Sequence, residues 1–113
     1  MNPAHPIDMA AFEELRDTAG ADFVADLVGT FIEEAPLLLA ELHEARAAGV
    51  AQRFQRAAHS LKSNAQTFGG TELGGLAREL ELGGPDSASD QRLQALDDAW
   101  QRTAAALQEL RHG

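Results

Sequence analysis

Val50-Ala51-Gln52-Arg53-Phe54-Gln55-Arg56-Ala57-Ala58-His59-Ser60-Leu61-Lys62-Ser63-Asn64-Ala65-Gln66-Thr67-Phe68-Gly69-Gly70 is the stretch on which the fold reading turns. At about 100° per residue, Phe54, Ala57, Ala58, Leu61, Ala65 and Phe68 fall within about 60° of a common direction. That stripe predicts a helix over 50–68 with one apolar face, stopped by Gly69-Gly70. His59 lies about 150° from the stripe's centre, on the outward face with Gln52, Gln55, Arg56, Lys62, Ser63 and Gln66. A histidine that filled a core would sit on the stripe, so His59 points at solvent.

Similar punctuation divides the chain on either side. Upstream, Asp8 is placed to cap a short helix over 9–19, with Ile7 and Phe12 as the two halves of a hydrophobic staple and Gly20 ending it in a left-handed conformation. Over 21–48, Val24, Val28, Phe31, Ala35, Leu38, Leu42 and Ala45 recur every three or four residues, marking a long helix that Gly49 stops. Pro36 falls inside this pattern and removes a backbone bond to Ile32, so a kinked single helix is expected. Downstream, Thr71 is the expected N-cap of a helix carrying Leu73, Leu76, Ala77 and Leu80, which Gly83-Gly84-Pro85 ends. Ser87 with Asp90 resembles a capping box before Leu93, Leu96, Trp100, Thr103, Leu107 and Leu110.

Composition agrees with an all-α reading. Ala and Leu supply 37 residues, whereas Val and Ile supply five and Tyr none, which favours helix interiors and starves a sheet. Short connections make neighbouring helices antiparallel, so the expected architecture is an up-down four-helix bundle with the short first helix capping one end. At 113 residues the chain is expected to form a single domain spanning 1–113.

The same arithmetic excludes several functions. Eighteen acidic residues against nine basic give a net charge of −9, which repels a phosphate backbone or an anionic membrane surface. Residues 1–7 hold two prolines and no apolar run, so neither a signal peptide nor a membrane anchor is expected, and a cytoplasmic location is the default. With no cysteine there is no disulfide framework, thiolate metal site or cysteine nucleophile. His5, His43 and His112 are scattered, and no Glu-x-x-His pair recurs to form a metal constellation. His43 and His112 read as solvent-facing or interfacial residues, and Asp97 and Asp98 as a solvated surface.

His59 is the exception, because Lys62, the chain's single lysine, stands three residues on and on the same face. A fixed ammonium beside an exposed ring nitrogen suits an anionic substituent, and a phosphoryl group carries about two negative charges near neutral pH. The same ammonium disfavours the imidazolium and so keeps His59 neutral and nucleophilic. Arg56 and Lys62 make a basic spot on an otherwise acidic surface.

From Ala58 to Gly70 the chain resembles the histidine-containing phosphotransfer (HPt) family, whose motif reads His-x-Leu-Lys-Gly with a further Gly ten residues after the His. His59, Leu61, Lys62 and Gly69 fill those places, and Ser63 stands where Gly is commonest. Leu73, Ala77, Leu80 and Glu81 continue the resemblance through an apolar ladder closed by Leu-Glu. The resemblance implies a phosphorelay intermediate that takes a phosphoryl group from a receiver-domain aspartate and passes it to another receiver. By analogy His59 would be the phosphoacceptor through Nε2 and Lys62 would stabilise the phosphoryl charge, with Gln55, Arg56, Ser63, Gln66 and Gly69 on or near the docking surface.

The implied partners are response-regulator receiver domains or a hybrid histidine kinase, and a monomer is expected. No cofactor is implied for this chain, since Mg²⁺ and the acyl phosphate belong to the receiver. A glycine-rich nucleotide loop is missing, so the reading is of a carrier without ATP-dependent kinase activity. Two alternatives stand beside it: an adaptor bundle that binds receivers without being phosphorylated, and the excised phosphotransfer segment of a chemotaxis-type or hybrid kinase. In an autokinase dimerisation helix the His is followed by an acidic residue and soon by proline, whereas here Ser60 follows and no proline occurs before Pro85.

Overall fold

A computed structural model describes residues 5–112, so residues 1–4, Gly113 and the side chain of His112 lie outside the described part. Five α-helices account for nearly all of it: α1 (Met9–Ala19), α2 (Ala21–Ala48), α3 (Ala51–Thr67), α4 (Thr71–Gly83) and α5 (Asp90–His112), with a 3-10 turn at Pro85–Ser87. No strand occurs among the described residues.

Local chemistry accounts for the boundaries. Asp8 caps α1 through its side chain, which accepts from the amides of Ala10 and Ala11, and its staple partners Ile7 and Phe12 are both buried. Gly20 takes φ 95° and ψ 142°, outside the left-handed helical region expected of it, which lets α2 begin at the next residue. Gly49 does adopt the left-handed turn, at φ 70°, and its amide reaches back to the Ala45 and Arg46 carbonyls.

Pro36 sits within α2, which continues through it as one helix. The side chain of Pro36 is exposed, on a side of the helix where water can solvate the carbonyl that proline leaves unpaired.

Two expected caps are corrected. Thr71 is the first helical residue of α4 rather than its cap; Gly70 holds the cap position, and the Thr71 amide donates to Gly69 O at 2.9 Å. Ser87 belongs to the 3-10 turn, where its hydroxyl donates to Gly84 O, and Ser89 caps α5 by accepting from the Arg92 amide at 3.1 Å. Pro85 is the first residue of the turn, where a proline ring, which holds φ at about −65°, is pre-organised, and the cap is displaced by two residues.

Helices α2, α3, α4 and α5 each pack against two of the others, in the cyclic order α2–α3–α4–α5–α2, while α1 packs on α2. The predicted stripe of α3 is the buried one: Phe54, Ala57, Ala58, Leu61, Ala65 and Phe68 are all inside. From α2 the core takes Leu39 rather than Leu38, because Leu38 turns toward the hollow alongside α3 and stays half-buried. Phe31 joins the layers, stacked on Phe68 at 5.3 Å and edge-on to Trp100 at 5.1 Å. Thr103 is buried at no polar cost, since its hydroxyl donates to Ala99 O at 2.7 Å.

Candidate functional site

His59 emerges from the middle of α3 with its side chain 59% exposed. Its Nδ1 lies 2.6 Å from Oε2 of Glu81, near the C-terminal end of α4. The other carboxylate oxygen of Glu81 accepts from Lys62 Nζ at 2.7 Å. One carboxylate therefore joins the histidine and the lysine, and both bonds are at the short end for charge-assisted contacts.

The Glu81 carboxyl is held below its ordinary value of 4.5, first by the hydrogen bond from Lys62, against a smaller opposing effect of burial, and then by the bond to His59. It is thus ionised at neutral pH and can only accept. In the Nδ1 contact the ring therefore donates, and in a neutral imidazole that tautomer leaves the lone pair on Nε2. Lys62 is itself half-buried rather than fully outward, its side chain 19% exposed. Its methylene stem lies against the helix pair while its ammonium reaches the carboxylate.

Glu81, which the sequence marked only as the close of the apolar ladder, is the site residue whose role sequence reasoning missed. The Lys62 ammonium, expected to act beside the ring, bonds the Glu81 carboxylate, and the carboxylate bonds the ring. Gln55, one turn before His59, donates to the Glu81 carbonyl at 3.3 Å, occupying one of the acceptors that the end of α4 leaves open. Gln66, two turns after it, packs over Gly74, where a Cβ would come within 3.4 Å of Gln66 Cγ. On the opposite side His59 borders a depression of about 470 Å³ whose α2 wall is Glu34, Leu37 and Leu38 and whose α3 wall includes Ser60, Ser63 and Asn64. Leu37 stands 70% exposed there.

A family model for the Hpt domain matches residues 26–112, a span that contains His59, Lys62 and Glu81. The chain belongs to the Hpt domain family. Membership carries a histidine phosphotransfer role in a phosphorelay, and Hpt domains are phosphoryl carriers that work with receiver domains or histidine kinases. The fold of this Hpt domain is similar to that in the crystal structure of histidine-containing phosphotransfer protein B from Pseudomonas aeruginosa PAO1, with a TM-score of 0.87, 23% identity and 97% of each chain covered. No curated protein matches the chain.

Other predicted positions of the Hpt domain fall elsewhere. Ser63 and Arg56 are exposed on the His59 face. Gly69, expected near the docking surface, is buried under the N-terminal segment: it takes φ 78°, its carbonyl accepts from the Asp8 amide at 2.7 Å, and a Cβ there would lie 2.8 Å from Asp8 O. At a rise of about 1.5 Å per residue it is also about 15 Å along from His59. His43 pairs with Asp97 at 3.0 Å between α2 and α5, and the His5 ring folds onto the backbone of Ile7. No group of three or more His, Asp or Glu among the described residues could hold a metal ion, and none of the described helices is long and apolar enough to cross a membrane.

Proposed function

We propose that the chain is a phosphorelay intermediate in which Nε2 of His59 accepts a phosphoryl group from a receiver-domain aspartyl phosphate and returns it to the aspartate of another receiver. The observation that carries this reading is the Glu81 carboxylate bound to His59 Nδ1, which leaves an exposed lone pair at Nε2 on a rigid helix.

Attack by that lone pair forms the N–P bond as the P–O bond to the aspartyl carboxylate breaks, so the aspartate leaves as a free carboxylate. The ring, keeping its proton on Nδ1, becomes a phosphorylated imidazolium. Its new positive charge develops 2.6 Å from Glu81 Oε2, where a carboxylate is already in place. No proton has to move in either direction, which suits a reaction run both ways. Lys62 keeps Glu81 ionised and aimed. The divalent cation used in transfer from an acyl phosphate is supplied with the receiver, and this chain contributes the nucleophile, its orientation and a docking face.

The docking face we assign comprises the depression between α2 and α3, with exposed Leu37 beside His59 and Ser63, and it fits a transient partner of modest contact area. The mount is an up-down antiparallel four-helix bundle formed by α2 to α5 over the whole chain as one unit, with α1 capping one end. A monomeric, cytoplasmic carrier without kinase activity is the state this reading assigns.

Incubation with phosphorylated receiver domains of the source organism tests it. Label should appear on the chain as an acid-labile, base-stable phosphoramidate and be lost in His59→Gln. Labelling that survives in His59→Gln overturns the assignment, and receiver binding without any label would make the chain an adaptor.

A further inference from the structure

The exposed face of α3 is divided into two rows by His59. At about 100° per residue, Gln55, Lys62 and Gln66 lie about 20–60° to one side of it, and Arg56, Ser60 and Ser63 about 40–100° to the other. The first row is spent on α4: Gln55 and Lys62 bond Glu81, and Gln66 packs over Gly74. The second row borders the hollows along α2. Because the two ring nitrogens face widely divergent directions, turning Nδ1 to Glu81 turns Nε2 away from α4, the side that the first row occupies.

The cations divide in the same way. The charge of Lys62 is matched by Glu81. Arg53 holds Glu41 through two bonds of 2.6 and 2.9 Å, and so takes up the carboxylate that lines the same hollow as Arg56. Arg56 is exposed and pairs with no carboxylate among the described residues. It stands one turn before His59, within the reach of an i, i+3 pair. Ser63 flanks the ring one turn after, and Glu34 is the anion on the far wall.

We propose that the phosphoryl group of phospho-His59 is bound by the Arg56 guanidinium, whereas Lys62 acts on the ring through Glu81. The proposal rests on His59 being the phosphoacceptor. A guanidinium offers a planar pair of donors to two phosphoryl oxygens, which a single ammonium already bonded to a carboxylate cannot match. The consequence is a division of labour: one cation sets the nucleophile and the other receives the transferred group.

Potassium phosphoramidate, a small donor that brings no protein charge of its own, reads the chain's contribution alone. Nε2 forms its bond to phosphorus as the donor's P–N bond breaks and ammonia leaves. The native chain, Arg56→Gln, Arg56→Lys and His59→Gln are labelled and followed by ³¹P NMR. Arg56→Gln is expected to label about fivefold more slowly than the native chain at low salt, with the gap narrowing at about 0.5 M salt. Its phosphoryl resonance should titrate at higher pH, since the dianion has lost its neighbouring cation, and Arg56→Lys should recover part of both effects. An Arg56→Gln protein that labels at the native rate and titrates at the native pH overturns the proposal while leaving the phosphoacceptor in place. Label on His59→Gln, or none on the native chain, removes the phosphoacceptor reading itself.

Discussion

Replacing Glu81 by Gln keeps the side chain's length and one acceptor oxygen but removes its charge, and the structure says what should follow. Oε2 lies 2.6 Å from His59 Nδ1 and Oε1 lies 2.7 Å from Lys62 Nζ, so the one amide oxygen can accept from the ring or from the ammonium but not from both, and the ring loses its bond to a charged acceptor. The ring is 59% exposed, so water screens the carboxylate's hold on the developing imidazolium. A charge-assisted bond is roughly twice as strong as a neutral one, which after screening leaves a loss of about tenfold in the transfer rate. The native carboxyl titrates below 4.5, so its hold on the ring is complete at neutral pH and is lost only as pH falls through that lowered value.

The assay combines single-turnover transfer from a phosphorylated receiver with ¹⁵N NMR of the imidazole. Native protein should show Nδ1 protonated and Nε2 bare, and Glu81→Gln a mixture of the two tautomers with slower transfer and an unchanged helical circular-dichroism signal. Lys62→Ala should also slow transfer, and the double variant should lose little more than either single one, because lysine acts through the carboxylate. Native rate and native tautomer in Glu81→Gln, or fully additive losses, would refute the reasoning.

Two further outcomes concern the scaffold. Gly69→Ala forces an alanine into φ 78° and drives its Cβ to 2.8 Å from Asp8 O, so stability should fall by about 2–3 kcal/mol, or about 10 °C in the melting temperature, with transfer at low temperature retained. A native melting temperature with impaired transfer would return Gly69 to the docking face. Ser89→Ala should cost about 1 kcal/mol through loss of the α5 cap, and more than Ser87→Ala; the reverse order in chemical denaturation would restore Ser87 as the cap.

Much of the fold was legible because periodicity reports a helix face directly. The α3 stripe placed Leu61 inside and His59 outside before any neighbour was known, and Asp8, Ile7 and Phe12 defined α1 by capping and stapling. Caps chosen by residue type alone were less secure, since both Ser87 and Ser89 are good caps and the turn begun by Pro85 decides between them. Likewise Leu38 and Leu39 both lie near the core direction of α2, and the hollow beside α3 decides which is covered.

At the site, the face of His59 was readable and its partner was not. Glu81 is 22 residues away, and a helical wheel says nothing of what packs alongside. A signal for it does exist in the chain. His59 and Glu81 are each eleven residues from Gly70, and Gln66 and Gly74 are each four, so α3 and α4 fold back on each other about that glycine like the arms of a hairpin. Mirroring the sequence about the Gly69-Gly70 turn would have set the carboxylate opposite the histidine. Gly69 misled for a related reason: its place in the motif marks proximity along the chain, whereas its positive φ serves the contact with Asp8.

The account turns on which nitrogen of which histidine takes the phosphoryl group. ¹⁵N–³¹P correlation NMR of the phosphorylated, ¹⁵N-labelled chain reads it directly. A single one-bond coupling to Nε2 of His59, with Nδ1 still protonated, is the predicted result; coupling at Nδ1, or phosphorus on any other residue, would contradict it.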